Sequence, residues 1–351
     1  MIIYFNLAED LLLFLNLIIL ELLVLTFLVG LGTILLRFNH DQRMFLLKEL
    51  EAQWHPILLN ILADELSPST LIEKIRQKHT LFFVDYLYRY SQRLVGLERQ
   101  KILELSEPFL AQVARLAKKG NAESRSKKIQ YLSSLGLKAY VDTVIKALDD
   151  SSPLVAMTAA WALARNREAE YAKAILGKLH RFKKWNPSFL SSMLATVGPS
   201  MALILRETLS DSNTEPLTRI VSADALSKLT DLRAADTAVN VLQQTQDREL
   251  IAACLRLLST VGHSQHLAVV YTLLHSEDFF IRANAVTALG ELGSEKDIPL
   301  LKQAFFEDPS SWVAIRSVQA IQNTVGIGMI KELAKSSHPR ASVAQQVLEG
   351  G

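Results

Sequence analysis

Residues 278–293 read DFFIRANAVTALGELG, and the fold follows from that stretch. Ile281, Ala285, Ala288, Leu289 and Leu292 recur at three- and four-residue spacing, which puts them on one stripe of a helix. Asp278 stands where that helix would start and Gly293 where it would stop. The stretch has copies. Leu132, Leu163, Leu194, Leu226, Leu258, Leu289 and Ile321 follow one another at steps of 31 or 32 residues, all aliphatic. Four residues before each lie Lys128, Ala159, Leu190, Ser222, Cys254, Ala285 and Ser317, mostly small, as close helix approach requires. Nine residues after each lie Val141, Ala172, Leu203, Ala235, Leu267, Ile298 and Ile330, expected on the apolar face of a second helix. Two helices in each period of 31 or 32 predict an all-α chain whose main part is an α-solenoid.

The unit resembles the short bacterial HEAT repeat, which has a loop acid, an aliphatic-Arg pair and then A-x-x-A-L-G. Asp278, Ile281-Arg282 and Ala285 through Gly290 carry that pattern. Arg125 and Arg219 share the column of Arg282, but Ala156, Pro187, Ile251 and Ala314 fill it elsewhere, so a continuous ladder of Asp–Arg pairs is not expected. The resemblance covers residues 121–349 and implies a binding platform rather than a particular activity. Ser337-His338-Pro339 is expected to open a last, shorter helix through Leu348 that caps the array.

The N-terminus differs. Leu11 to Leu36 is about 26 residues of almost unbroken apolar sequence, where roughly 20 cross a hydrocarbon core. It lacks the basic leader and small-residue cleavage site of a signal peptide, so a retained transmembrane helix is expected. Glu9 and Asp10 precede it; Arg37, Arg43 and Lys48 follow. The positive-inside rule then leaves residues 1–10 outside and everything after the span in the cytoplasm, giving a single-pass protein of the plasma (inner) membrane. Glu21 and Asn16 lie within the span. A central carboxylate costs about 2.5–3.5 kcal/mol, so either it is tolerated in protonated form or it contacts a membrane helix of another protein or a second copy.

Residues 37–119 read as a membrane-proximal helical region. Pro56 is expected to break or bend its first helix after Trp54-His55. Phe82, Phe83, Tyr86 and Tyr90 recur at helical spacing, a pattern of packing core more than of binding surface. The run Leu94, Gly96, Arg99 is similar to a segment of bacterial HEAT proteins with one N-terminal span. That resemblance implies a place beside membrane glycosyltransferases that make envelope polysaccharides.

Catalytic signals are missing. The chain has no phosphate loop, nucleophile elbow or dinucleotide fingerprint, and Gly326-Ile327-Gly328 lacks the third glycine. Of eight histidines only His263 and His266 are close, in a turn with no acid or thiol at ligand spacing, so solvated histidines are expected and no metal or other cofactor. Cys254 falls in the small-residue column and reads as a buried spacer. A formal net charge of +2 gives no bulk argument for nucleic acid.

The repeat frame supplies a surface map. Two residues before the reference column lie Gln130, Trp161, Ser192, Asp224, Arg256, Thr287 and Gln319; two after it lie Arg165, Lys228, Thr260, Glu291 and Asn323. These columns are polar and vary, so they are expected to face solvent on the concave side. Trp161, Arg165, Asp224, Lys228 and Arg256 are the candidate partner-binding residues there, Trp161 being either a packing residue or a partner anchor. A basic rim is expected from Lys118, Lys119, Lys127, Lys128, Arg181, Lys183 and Lys184, with Trp185 at the tip. Such a rim is either solvated or meets anionic membrane lipid.

These observations point to a membrane-anchored, non-enzymatic scaffold or regulatory subunit that binds protein partners, including an integral membrane protein. Two other classes stay open. HEAT-like proteins include lyases and DNA-alkylation glycosylases, for which Trp161, Asp224 and Arg256 would have to form a groove. The other is a plain membrane tether for a soluble signalling protein.

Overall fold

The computed structural model describes the backbone of residues 2–350 and the side chains of 13–35, 37, 38, 41, 42 and 44–349. The side chains of Glu9, Asp10 and Arg43, on which the expected topology draws, lie outside that set. All regular elements among the described residues are helices, and the chain divides into two compact units, one to Val113 and one from Ala114.

The first unit is built on α1 (Ile2–Leu62), followed by α2 (Ser69–Ile72), α3 (Thr80–Ser91) and α4 (Gly96–Leu116), whose last turn enters the second unit. Pro56 lies inside α1 and does not end it. The proline forfeits one backbone hydrogen bond, while Trp54, Leu58 and Ile61 on either side are buried and hold the helix in place. Trp54 meets Phe83 and Tyr86 edge-on at 5.1 and 5.7 Å, and Phe83 meets Phe109 at 5.2 Å. The aromatic stripe of α3 is therefore core at Phe83 and Tyr86.

The second unit is a solenoid of seven helix pairs. They are α5 (Ala122–Leu135) with α6 (Leu137–Ala147), α7 (Pro153–Arg165) with α8 (Ala169–Leu176), and α9 (Pro187–Ala195) with α10 (Ala202–Ser210). Next come α11 (Pro216–Lys228) with α12 (Ala234–Leu242), α13 (Arg248–Val261) with α14 (Leu267–Leu273), α15 (Phe279–Leu292) with α16 (Ile298–Glu307), and α17 (Ser311–Val325) with α18 (Ile327–Ala334). A last helix, α19 (Ala341–Gly350), starts just after the expected Ser337-His338-Pro339. The odd-numbered helices α5 to α17 stack directly on one another as one layer, and the even-numbered helices form the second.

The columns explain the stacking. All seven residues of the Leu289 column are completely buried, and every residue of the small column four positions earlier is buried too. Gly290 shows how tight the layer is. A Cβ there would sit 2.4 Å from the Cβ of Ala320, so α15 and α17 touch backbone to side chain. Asp278 caps its helix as the sequence implied, and Asn121, Asn186 and Asp247 likewise each accept a backbone N–H of the first turn.

One column needs correction, at two positions. Leu203 is 58% exposed, although the ninth-residue column was expected to be apolar core. Gly198 (φ +94°) and the 3-10 turn Pro199–Met201 reset the register there, so Met201, Ala202, Leu205 and Leu209 face inward instead. Val141 in the same column is only half-buried.

Candidate interaction surface

Residues one repeat apart on the odd-numbered layer meet in a row of cross-helix contacts. The hydroxyls of Ser126 and Thr158 are 2.8 Å apart, as are those of Ser227 and Thr260. Asn323 donates to Glu291 at 2.7 Å. Arg256 donates from Nε and Nη2 to Asp224 at 2.9–3.2 Å. Sequence spacing placed Asp224 and Arg256 on one surface but did not show that each is the other's partner. Lys228 is exposed one turn beyond Asp224. Trp161 is half-buried, edge-on to Phe189 at 5.7 Å, and the Arg165 guanidinium lies 5.8 Å from the Trp161 ring. Phe189 in turn stacks on Trp185 at 5.4 Å. Phe189 is not foreshadowed by the repeat, since its column neighbours, Thr158 and Val221, are not aromatic.

The expected basic rim is compensated at three of its seven cations. Lys127 pairs with Glu123 at 2.8 Å, Arg181 with Asp149 at 3.3 Å, and Lys183 with Glu215 at 2.6 Å. Lys128 is not on the rim at all. It is buried, its Nζ donating to the Lys119 carbonyl at 2.6 Å and to Ser124 Oγ at 3.0 Å, and burial together with the charge of Arg125 lowers its pKa. Its place in the small-residue column carries it inward, and the long side chain reaches back to the loop it left. Lys118, Lys119 and Lys184 are exposed and have no ion pair among the described residues.

Arginines of the repeat motif are also structural. Arg125 binds Asp150 at 2.7 and 2.8 Å, and Arg282 binds Asp308 at 2.6 and 3.1 Å, each tying an odd helix to the next inter-repeat loop. Arg219 donates instead to the Leu209 carbonyl at 2.9 Å. The ladder is thus discontinuous, as the column composition implies.

His266 is buried rather than solvated. Its Nδ1 accepts the His263 amide at 2.9 Å and its Nε2 faces Asp236 at 3.1 Å, an acid brought in from the preceding pair. Among the described residues no group of three or more His, Cys, Asp or Glu is placed to hold a metal ion. Burial pushes the Cys254 thiol up to about 12, which leaves it unreactive.

In α1, Leu13–Leu35 is long and apolar enough to cross a membrane, and its side chains are largely exposed. Glu21 and Asn16 are both exposed on it. Five residues at about 100° each place them roughly 140° apart around the helix, so one neighbouring helix would not meet both.

Residues 235–322 match the family model described as HEAT repeats. That stretch carries HEAT repeats. No curated protein matches the chain. Among solved structures it is similar to Kap121p bound to RanGTP, with a TM-score of 0.43 and 15% identity over 85% of this chain and 41% of that one. It is also similar to Kap121p bound to Nup53p, with a TM-score of 0.42, 15% identity and 85% and 42% coverage. The chain spans about two-fifths of the length of those karyopherins. The solenoid itself is defined by the buried repeat columns.

Proposed function

We propose that this protein is a membrane-anchored, non-enzymatic scaffold or regulatory subunit whose HEAT repeats hold a protein partner in the cytoplasm. The observation that carries the reading is α1, which runs unbroken from an exposed apolar segment of membrane-spanning length into a packed aromatic core. Anchor and folded unit are one helix.

The odd-numbered layer supplies the platform: variable polar side chains on a rigid stack, with Trp161, Arg165, Asp224, Lys228 and Arg256 as its candidate contacts. Asp224 is fully engaged by Arg256, which favours surface recognition over the glycosylase alternative, where an acid must be left free for chemistry. The partner we favour is an integral membrane protein. Its finer identity, a glycosyltransferase complex making an envelope polysaccharide, rests on the similarity of the Leu94–Gly96–Arg99 run alone. Glu21 would contribute a polar contact inside the bilayer, and Lys118, Lys119 and Lys184 a weaker attraction to anionic lipid.

The test places a photo-cross-linking residue at Gln319, an exposed position on α17, in the full-length chain in its native membrane. A cross-linked multi-span protein supports the reading, and Glu21→Leu should reduce its recovery. A reporter fused after residue 119 that behaves as periplasmic, or a Gln319 probe that captures no protein, would overturn it.

A further inference from the structure

A row of aromatic contacts joins α7, α9 and the loop before α9, with Arg165 against one end and Lys184 next in sequence to the other. Lys184 precedes Trp185; Trp185 stacks on Phe189 at 5.4 Å; Phe189 meets Trp161 at 5.7 Å; and Trp161 lies 5.8 Å from the Arg165 guanidinium. Leu154, 51% exposed, lies on the same stripe of α7 as Trp161, seven residues and two turns earlier. Lys184 and Arg165 are exposed and carry no ion pair among the described residues, unlike Arg181 and Lys183 close by. Phe189, 38% exposed, keeps apolar surface open between the two half-buried tryptophans.

The charge around the row is uneven. Residues 118–195 hold fourteen Lys and Arg against six Asp and Glu, a net +8, in a chain whose total is +2. Residues 196–351 hold thirteen against seventeen, a net −4. The row therefore sits in the one strongly cationic part of the solenoid. Laid end to end, its two ring–ring contacts and one cation–ring contact reach no further than an extended segment of about five residues at roughly 3.4 Å each.

We infer that this row is the docking site for a short, extended, acidic segment of the partner protein, with a carboxylate at each end and apolar side chains between. The carboxylates would meet Lys184 and Arg165, and the apolar side chains would lie on Trp185, Phe189 and Trp161. Aromatic rings supply large rigid contact area at small entropic cost, and the flanking cations set direction and exclude basic segments. This inference rests on the interaction-platform reading and adds the class of partner to it.

The test uses two pools of eight-residue synthetic peptides with four randomised central positions, one flanked by two Glu at each end and the other by two Lys. Each is passed over the full-length chain immobilised in detergent micelles, and retained peptides are sequenced. The Glu pool should be retained at least tenfold over the Lys pool, with apolar residues enriched at the centre. Arg165→Glu and Lys184→Glu should each reduce retention at least fivefold, and Trp161→Ala tenfold. Arg165 is exposed, so its variant decides the matter if Trp161→Ala loses the fold on a thermal melt. Equal retention of the two pools, unselected centres, or retention indifferent to Arg165→Glu overturns the inference. So does a row occupied instead by anionic vesicles or by a second copy, seen when either binds in an Arg165-dependent way and the Glu pool does not. A chain that cross-links a partner from Gln319 yet retains no peptide keeps the platform reading and loses this one.

Discussion

Arg256 on α13 grips Asp224 on α11 with two guanidinium nitrogens across one repeat, and the carboxylate is the more buried partner, 14% exposed against 42%. Removing the arginine would strand a partly desolvated charge. Arg256→Met is therefore expected to cost about 1–2 kcal/mol, and adding Asp224→Asn should return part of that loss. A denaturation cycle over the four proteins measures it. Costs that simply add would mean the pair contributes nothing.

Core and surface leucines should separate cleanly. Leu163→Ala, Leu226→Ala and Leu289→Ala each empty a completely buried position between stacked helices and should cost roughly 2–5 kcal/mol. Leu203→Ala, at an exposed site, should stay within about 0.5 kcal/mol. If Leu203→Ala proves as damaging as the others, the register given to α10 is wrong.

Two backbone positions predict changes of opposite sign. Gly290→Ala drives a methyl into Ala320 and should destabilise by about 1–3 kcal/mol. Thr230 holds a left-handed conformation (φ +53°), unfavourable for a β-branched residue, and Thr230→Gly should stabilise by up to about 1 kcal/mol. Urea midpoints for the two variants should move in opposite directions.

Acid should weaken the solenoid through particular carboxylates. The Arg125 hydrogen bond holds the Asp150 carboxyl below its ordinary value of 3.8, and Lys178 does the same for Asp149. At Asp297 burial pushes the other way, but the Tyr271 hydroxyl and the Ser294 amide outweigh it. Groups with folded pKa values below the unfolded 3.8 add stability that is complete above that pH and lost as pH falls through the folded values. Melting temperature should thus be level near neutrality and drop below about pH 4. Asp150→Asn should make the drop shallower; an unchanged slope would assign the acid sensitivity elsewhere.

The stack of helices was legible because its signal repeats. Leu289 alone is an ordinary aliphatic residue, but seven aliphatics at one spacing leave a single way to bury them all. What the columns could not convey is local geometry that departs from the average. Leu203 turned outward because a positive-φ glycine and a 3-10 turn shifted one helix start. Lys128 went inward because a long flexible side chain can satisfy a small-residue column by folding back onto its own loop. The surface was harder still, since contacts such as Phe189 with Trp161 join residues 28 positions apart, off the repeat period, and leave no periodic trace. Pro56, the strongest local breaker in its region, was overruled by the packing of Trp54, Leu58 and Ile61.

The continuity of α1 has a mechanical side. From Leu35 to Trp54 the helix rises roughly 28 Å, at about 1.5 Å per residue, without a hinge. Membrane spans tilt by about 20° on average, and over that length such a tilt would swing Trp54 sideways by roughly 10 Å. A flexible leash would absorb that motion; a stiff rod transmits it. In a bilayer, then, changes in thickness or in a neighbouring helix that alter the tilt of the span would reach the aromatic core of the first unit as displacement, and the anchor would act as a lever.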